Sequence, residues 1–257
     1  MKAKKSLGQN FLNNLGTLQK IVDAGNLNES DEVIEVGPGH GILTEALSPK
    51  VKKIITIELD QELIPKLKER FKYRRNIDLI HADALTYEPP ETPYKLIANI
   101  PYYITSPLLN HFLKDQPAHR RPTHIVLLVQ KEVAEKILEP VGNLSVLALQ
   151  VQLFGKPSIV AVVPASHFTP KPKVDSAILK IEMYPKALAQ DDELKKIFQL
   201  IHIGFHQRRK KLTKNLKSLN GVNEEKLKNA FEALGLNPNV RAQELSMEQW
   251  LGLKNIL

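Results

Sequence analysis

Four features of this 257-residue chain carry residue types whose spacing points to chemistry. They are the glycine cluster Glu35-Val-Gly-Pro-Gly-His-Gly41, the later acids Glu58 and Asp83, and the tetrapeptide Asn99-Ile-Pro-Tyr102. Each stands at or just past the end of a short apolar run of strand character. Glycine lets the main chain pass close to a ligand. The dinucleotide fingerprint spaces its glycines G-x-G-x-x-G. Here they fall at Gly37, Gly39 and Gly41, and no Gly-Lys-Ser/Thr follows to build a phosphate loop. Glu58 lies 21 residues beyond Gly37. A carboxylate at that place accepts from the hydroxyls of a ribose. Asp83, within His81-Ala-Asp-Ala84, is suited to accept from an adenine amino group. All three elements sit in order at strand ends, the edge where open α/β sheets bind ligands. The set reads as a nucleoside site with no pyrophosphate to cap.

The E/D-x-G-x-G-x-G form is the loop of S-adenosylmethionine methyltransferases. Asn99-Ile-Pro-Tyr102 then names a reaction. The N6 lone pair of adenine is delocalised into the ring, which makes it a poor nucleophile. A side-chain carbonyl from Asn99 and the main-chain carbonyl of Ile100 can both accept N6–H bonds, drawing the nitrogen toward a tetrahedral shape. Pro101 fixes the local backbone, and Tyr102 offers a face for the adenine, its ring rather than its hydroxyl doing the work. Catalysis of this kind is positioning and hydrogen bonding in a dry site. It needs no metal and no covalent nucleophile.

The elements that must position these residues alternate. Glu32–Val36, Lys53–Leu59, Ile77–His81, Lys95–Asn99 and His124–Gln130 read as strands. Ile42–Leu47, Gln61–Phe71, Ser106–Leu113 and Lys131–Leu138 read as helices. Such alternation predicts an α/β fold with a doubly wound, mostly parallel, Rossmann-like sheet. Two late strands, 157–163 and 174–182, are joined by a Pro-rich loop without a helix, which predicts an antiparallel addition at one edge. Beyond Tyr184-Pro185 four helical patterns follow, at about 191–203, 206–219, 224–234 and 246–256. Asn223 and Ser246 are N-cap candidates, and Ser246-x-x-Gln249 fits a capping box. The expected division is a domain over 1–184 and a small all-α domain over 185–257.

Composition narrows the class. Cysteine is absent, which excludes disulfides, thiolate metal sites and a cysteine nucleophile. The eight histidines form no ligand-like spacing, so no metal is expected. No apolar run approaches the roughly 18–20 residues of a membrane helix. The basic first residues are followed by no apolar stretch, and the expected compartment is the cytosol. The net charge of +8 points to a polyanionic partner. Residues 185–257 carry +5 of it. Arg208, Arg209, Lys210, Lys211, Lys214 and Lys217 put six cations and no acid on one predicted helix.

The chain resembles the ribosomal RNA adenine dimethylases, in particular the type that modifies small-subunit rRNA. The resemblance runs over nearly the whole length. Gly8-Gln-Asn-Phe-Leu12, Glu35–Gly41, Ile57-Glu-Leu-Asp60 and Asn99–Tyr102 with Ser106-Pro-Leu108 carry it in the first half. Gln130-Lys-Glu-Val133, Leu144-Ser-Val146, Phe168-Thr-Pro-Lys-Pro-Lys-Val-Asp-Ser176 and Gln207-Arg-Arg-Lys210 carry it in the second. Two places depart from the family pattern. Position 100 is Ile where Leu is usual, and 139–143 lacks the usual Tyr-Gly element. The resemblance implies cofactor contacts at Asn10, Leu12, Gly37, Glu58, Asp83 and Asn99, with Gly39 and Gly41 completing the loop. It also implies dimethylation of two adjacent adenosines in the 3′-terminal hairpin loop of small-subunit rRNA within a pre-30S particle. Nothing in the sequence signals an oligomer, so a monomer is expected.

Three residue-level expectations complete the reading. Gln9-Asn-Phe-Leu12 closes over the cofactor. Phe168, stiffened by two X-Pro steps, stacks with Tyr102 on the target base. The basic run contacts rRNA phosphates. Two other readings compete: the related large-subunit methylase of the macrolide-resistance type, and a non-catalytic RNA-binding, assembly or transcription factor. The intact set Glu35–Gly41, Glu58, Asp83 and Asn99–Tyr102 weighs against loss of catalysis.

Overall fold

A computed structural model of the protein describes Lys4 and residues 7–257. The chain divides into two compact units. One takes residues 1–135 and 156–183, the other 136–155 and 184–257.

The first unit opens with a two-residue strand, β1 (Phe11–Leu12), and a helix, α1 (Leu15–Ala24), capped by Asn14, whose side chain accepts from Thr17 N–H at 2.8 Å. Strand–helix alternation follows: β2 (Glu32–Val36), α2 (Ile42–Leu47), β3 (Lys53–Glu58), α3 (Ile64–Phe71), β4 (Ile77–His81), β5 (Lys95–Asn99) and α4 (Thr105–Leu109). Next come β6 (His124–Gln130), α5 (Lys131–Ile137), which runs into the second unit, and there α6 (Val146–Gln152). Returning to the first unit, β7 (Gly155–Val163), β8 (Phe168–Thr169) and β9 (Ser176–Met183) complete it.

Seven strands form one sheet in the order β4-β3-β2-β5-β6-β9-β7. The pairs from β4 through β6 are parallel, and β9 runs antiparallel to β6. The sequence pattern anticipates this arrangement. Central strands such as Lys53-Ile-Ile-Thr-Ile-Glu58 are buried on both faces, as helices on either side of a parallel sheet require. Ile21, Leu47, Ile54 and Leu128 lie in the main core, and Leu63 at the N-cap of α3 closes a smaller cluster with Leu67 and Phe71 of that helix. A separate two-stranded ribbon pairs β1 with β8, Phe11 opposite Thr169 and Leu12 opposite Phe168.

The second unit holds α6, α7 (Asp191–Gly204), α8 (Leu212–Leu216), α9 (Glu224–Ala233) and α10 (Met247–Ile256). Asn223 and Ser246 are the N-caps of α9 and α10, and Ser246 with Gln249 forms the expected capping box. Trp250 of α10 is fully buried and stacks on Phe205. The expected long helix over 206–219 is corrected: only 212–216 is helical. Residues 205–210 turn instead, because the Asn215 side chain donates to the carbonyls of Gly204 and Gln207 and satisfies the end of α7 from outside.

Candidate functional site

Parallel strands deliver their C-terminal ends to one edge, and loops there meet. The loop after β2 carries all three glycines with positive φ, +66° at Gly37, +57° at Gly39 and +80° at Gly41. Each is needed for a different reason. A side chain at Gly41 would strike the Phe71 ring, its Cβ falling 2.5 Å from it. At Gly39 it would press on the Phe11 ring at 3.0 Å. At Gly37 it would meet nothing closer than the Asn99 carbonyl, 4.0 Å away, so only there does the loop face open space.

That space is a cavity at the sheet edge. Asn10, Leu12, Gly37, Gly39, Glu58, Asp83 and Asn99 line it, so seven of the eight expected cofactor residues come together. Gly41 stands back and packs on α3. Glu58 ends β3 and is buried. Its two oxygens accept from Gly39 N–H at 3.2 Å and Asp60 N–H at 2.8 Å, which ties the glycine loop to the next loop. Burial raises its pKa, partly opposed by these bonds. Each carboxylate oxygen keeps a further lone pair for a ligand hydroxyl. Asp83 is exposed, and its Oδ1 accepts from Leu85 N–H at 2.9 Å. Asn99 ends β5, and its amide nitrogen donates to the Asn10 carbonyl at 3.3 Å. Among the described residues no donor occupies Asn99 Oδ1.

The N-terminal segment is strapped across this edge. Lys4 pairs with Asp60 at 2.7 Å and with Glu62 at 2.8 Å, and the Gln9 side chain donates to Asp60 at 2.9 Å. Burial alone would push Asp60 upward; the bonds from Lys4 and Gln9 outweigh it and lower its pKa. Farther along, the Phe11 ring stacks on His40 with centroids 4.0 Å apart. Burial, joined by the nearby cations Lys66 and Arg70, lowers the His40 pKa.

Two side chains at the site were not singled out by the sequence reading. Glu35, whose place in the loop motif was noted without a role, is only 1% exposed and accepts from Thr44 Oγ1 at 2.6 Å. Burial, with the Glu58 charge adding to it, pushes its pKa up to about 8. Tyr103, 59% exposed, lines the cavity and lies against Gly8. A second tyrosine in line after a known motif was the available signal.

Tyr102 is half-buried beside the cavity, and its hydroxyl lies 2.7 Å from Ser176 Oγ. Phe168 differs from expectation and is corrected. It is 3% exposed, packs in the main hydrophobic core and pairs through β8 with Leu12, so its ring presents no face for a base. The Pro-rich segment does hold Phe168 rigidly, but inward. Arg208, Arg209, Lys210 and Lys211 are exposed in the turn before α8 rather than on a helix. Lys214 and Lys217 follow on α8 and at its end, and Lys217 pairs with Glu224. The other five have no acidic partner among the described residues.

A family model of ribosomal RNA adenine dimethylases matches residues 1–257. The ribosomal RNA small subunit methyltransferase A of Dehalococcoides mccartyi is 42% identical over 255 residues, 97% of this chain and 87% of that protein. Among solved structures, a dimethyladenosine transferase from Plasmodium falciparum superposes with a TM-score of 0.78 at 33% identity, covering 95% of each chain. The 23S rRNA methyltransferase ErmE superposes with a TM-score of 0.78 at 27% identity, covering 96% of this chain and 99% of its own.

Proposed function

The chain belongs to the ribosomal RNA adenine dimethylase family, and from that premise we propose how its residues divide the work. The protein is an S-adenosylmethionine-dependent methyltransferase that dimethylates adenosine N6 in small-subunit rRNA. The observation that carries this reading is the convergence of Glu58, Asp83 and Asn99 on one cavity beside Gly37. The large-subunit reading is not favoured. The small-subunit relative is 42% identical, against 27% for ErmE.

The residues present fit the cofactor. The loop is open only at Gly37, and a buried carboxylate and an exposed one stand along the same wall. When bound, S-adenosylmethionine supplies an electrophilic methyl group on a sulfonium. Glu58 accepts from the ribose hydroxyls and Asp83 from the adenine amino group of that cofactor. Gln9–Leu12 covers it, held by Asp60 and by the Phe11–His40 stack.

The substrate adenine is handled by Asn99–Tyr102. Asn99 donates through its amide nitrogen to Asn10, an orientation that leaves Oδ1 to accept an N6–H bond. The Ile100 carbonyl accepts the other. These two bonds aim the nitrogen lone pair and grow stronger as it becomes tetrahedral, which lowers the barrier rather than tightening ground-state binding. Pro101 at φ −58° fixes the turn, and the Tyr102 ring stacks on the base. Arg208, Arg209, Lys210, Lys211, Lys214 and Lys217 contact rRNA phosphates. The target is two adjacent adenosines in the 3′-terminal hairpin loop, within a pre-30S particle in the cytosol, and the enzyme acts as a monomer.

The test is methyl transfer from labelled S-adenosylmethionine to separated small and large ribosomal subunits that lack the modification. Label recovered as N6,N6-dimethyladenosine from small-subunit rRNA is the expected result. Label confined to large-subunit rRNA, or on another base, overturns it.

A further inference from the structure

Tyr102 is held at both ends. Its carbonyl accepts from the main-chain N–H of Thr105 and from Thr105 Oγ1, the latter at 3.0 Å. Its hydroxyl reaches 2.7 Å to Ser176 Oγ. The two ends belong to different parts of the fold. Tyr102 starts a three-residue 3-10 turn after β5, whereas Ser176 is the first residue of β9, 74 positions away.

Ser176 is well placed to serve as a fixed point. It is fully buried and stands opposite Gln130 in the antiparallel ladder between β9 and β6. Its predecessor is tied twice: the Asp175 carbonyl accepts from Lys131 N–H at 3.0 Å, and Asp175 Oδ1 accepts from Ala165 N–H at 2.9 Å. A tyrosine ring has two side-chain torsions, the outer of which is broad. The hydroxyl oxygen lies on the axis of that outer torsion, so a bond there fixes where the ring stands through the inner torsion, and restrains its plane only through the preference of the phenolic O–H to lie in the ring plane. Burial raises the phenol pKa, so the hydroxyl keeps its proton and the bond persists at neutral pH.

We propose that Ser176 is a positioning residue for methyl transfer, its hydroxyl holding in place the Tyr102 ring against which the target adenine stacks. The proposal rests on the adenine-methylation reading above and assigns the group that orients its stacking platform. It also gives the Tyr102 hydroxyl a task other than proton transfer. A ring released from Ser176 still offers an aromatic face, but in several orientations. The base is then captured in geometries that do not aim N6 at the methyl, and the rate falls more than binding does.

Tyr102→Phe and Ser176→Ala remove the same bond from opposite ends. Tyr102→Phe keeps the ring and alters only a half-buried side chain, so it stands if Ser176→Ala proves unstable. Single-turnover methyl transfer is measured at saturating cofactor and saturating unmodified small subunits, together with cofactor affinity. Each variant is expected to be about 3- to 10-fold slower, the value of one neutral hydrogen bond, with cofactor affinity unchanged. The double variant is expected to be no slower than the slower single one, because both changes delete one interaction. A Tyr102→Phe enzyme as fast as wild type, or losses that multiply in the double variant, overturn the assignment. A wild-type protein that leaves small-subunit rRNA unmethylated overturns the underlying reading instead.

Discussion

Asn99 and Glu35 sit on the same cavity and do opposite things with their polar atoms. Asn99 donates to the Asn10 carbonyl and keeps its acceptor without a donor among the described residues, where the proposed reading puts the adenine amino group. Asn99→Ala removes that acceptor, and turnover is expected to fall by ~10²–10³ while rRNA affinity stays near wild type. Rate and binding measured on the same preparation check this, and a variant with most of its activity would show that another group orients N6. Glu35 instead sits buried where ionisation is costly. Its ordinary value is 4.5, and burial pushes it up to about 8. Between these values the folded chain holds a proton that the unfolded chain has released. This contribution is therefore fully present below the lower value, declines as pH rises, and is gone above the upper one. Glu35→Gln removes the dependence. The variant is expected to gain on wild type as pH rises, by on the order of a few kcal/mol near pH 9. Thermal melting of both proteins across the range measures it; parallel curves would mean that Glu35 is ionised throughout.

The glycine loop shows how one sequence motif serves several neighbours. Gly41 is constrained by Phe71 of α3 and Gly37 only by its backbone angle and by the ligand space. Gly41→Ala is expected to cost stability by roughly 1–3 kcal/mol through the positive φ and the clash combined. Gly37→Ala is expected to be the milder fold lesion and the worse cofactor binder. Melting and calorimetric titration with S-adenosylmethionine separate the two, and equal effects on both readouts would erase the distinction. Much of this region was legible beforehand. Apolar β-branched runs that end at glycine or at an acid mark strands and their C-terminal ends, because burial on both faces keeps most polar residues out until the edge, Glu35 and Thr56 being the exceptions. Phe168 was not legible. An aromatic in an extended Pro-rich segment looks the same from sequence whether it faces a base or a core, and only the pairing of β8 with β1 turns it inward. The basic run misled for a related reason. Its spacing reads as a helix over 206–219, but the side chain of Asn215 holds 205–210 as a turn through contacts that periodicity does not encode. Tyr103 was passed over because it lies one residue beyond the motif that drew attention.

Across the molecule, charge and connectivity matter more than any one contact. Arg208, Arg209, Lys210 and Lys211 are exposed, and no acid among the described residues neutralises them. Their replacement by Gln is expected to weaken rRNA binding and flatten its salt dependence, each lost phosphate contact lowering the log–log slope by roughly 0.7–0.9. Cofactor affinity is expected to stay constant. Binding isotherms over a salt series decide it, and an unchanged slope would reduce the run to a solvated surface. The sheet order carries a separate consequence. β7 precedes β9 in the chain but lies outside it, with β9 between β7 and β6. During synthesis, therefore, β7 leaves the ribosome before the strand it must pair with exists. Its Ile159-Val-Ala-Val-Val163 stretch waits as an unpaired apolar edge until residues 176–183 emerge and dock on β6. The nascent chain thus exposes that stretch for a short interval, and silent codon changes that slow elongation between β7 and β9 would lengthen it without altering a single residue of the finished protein.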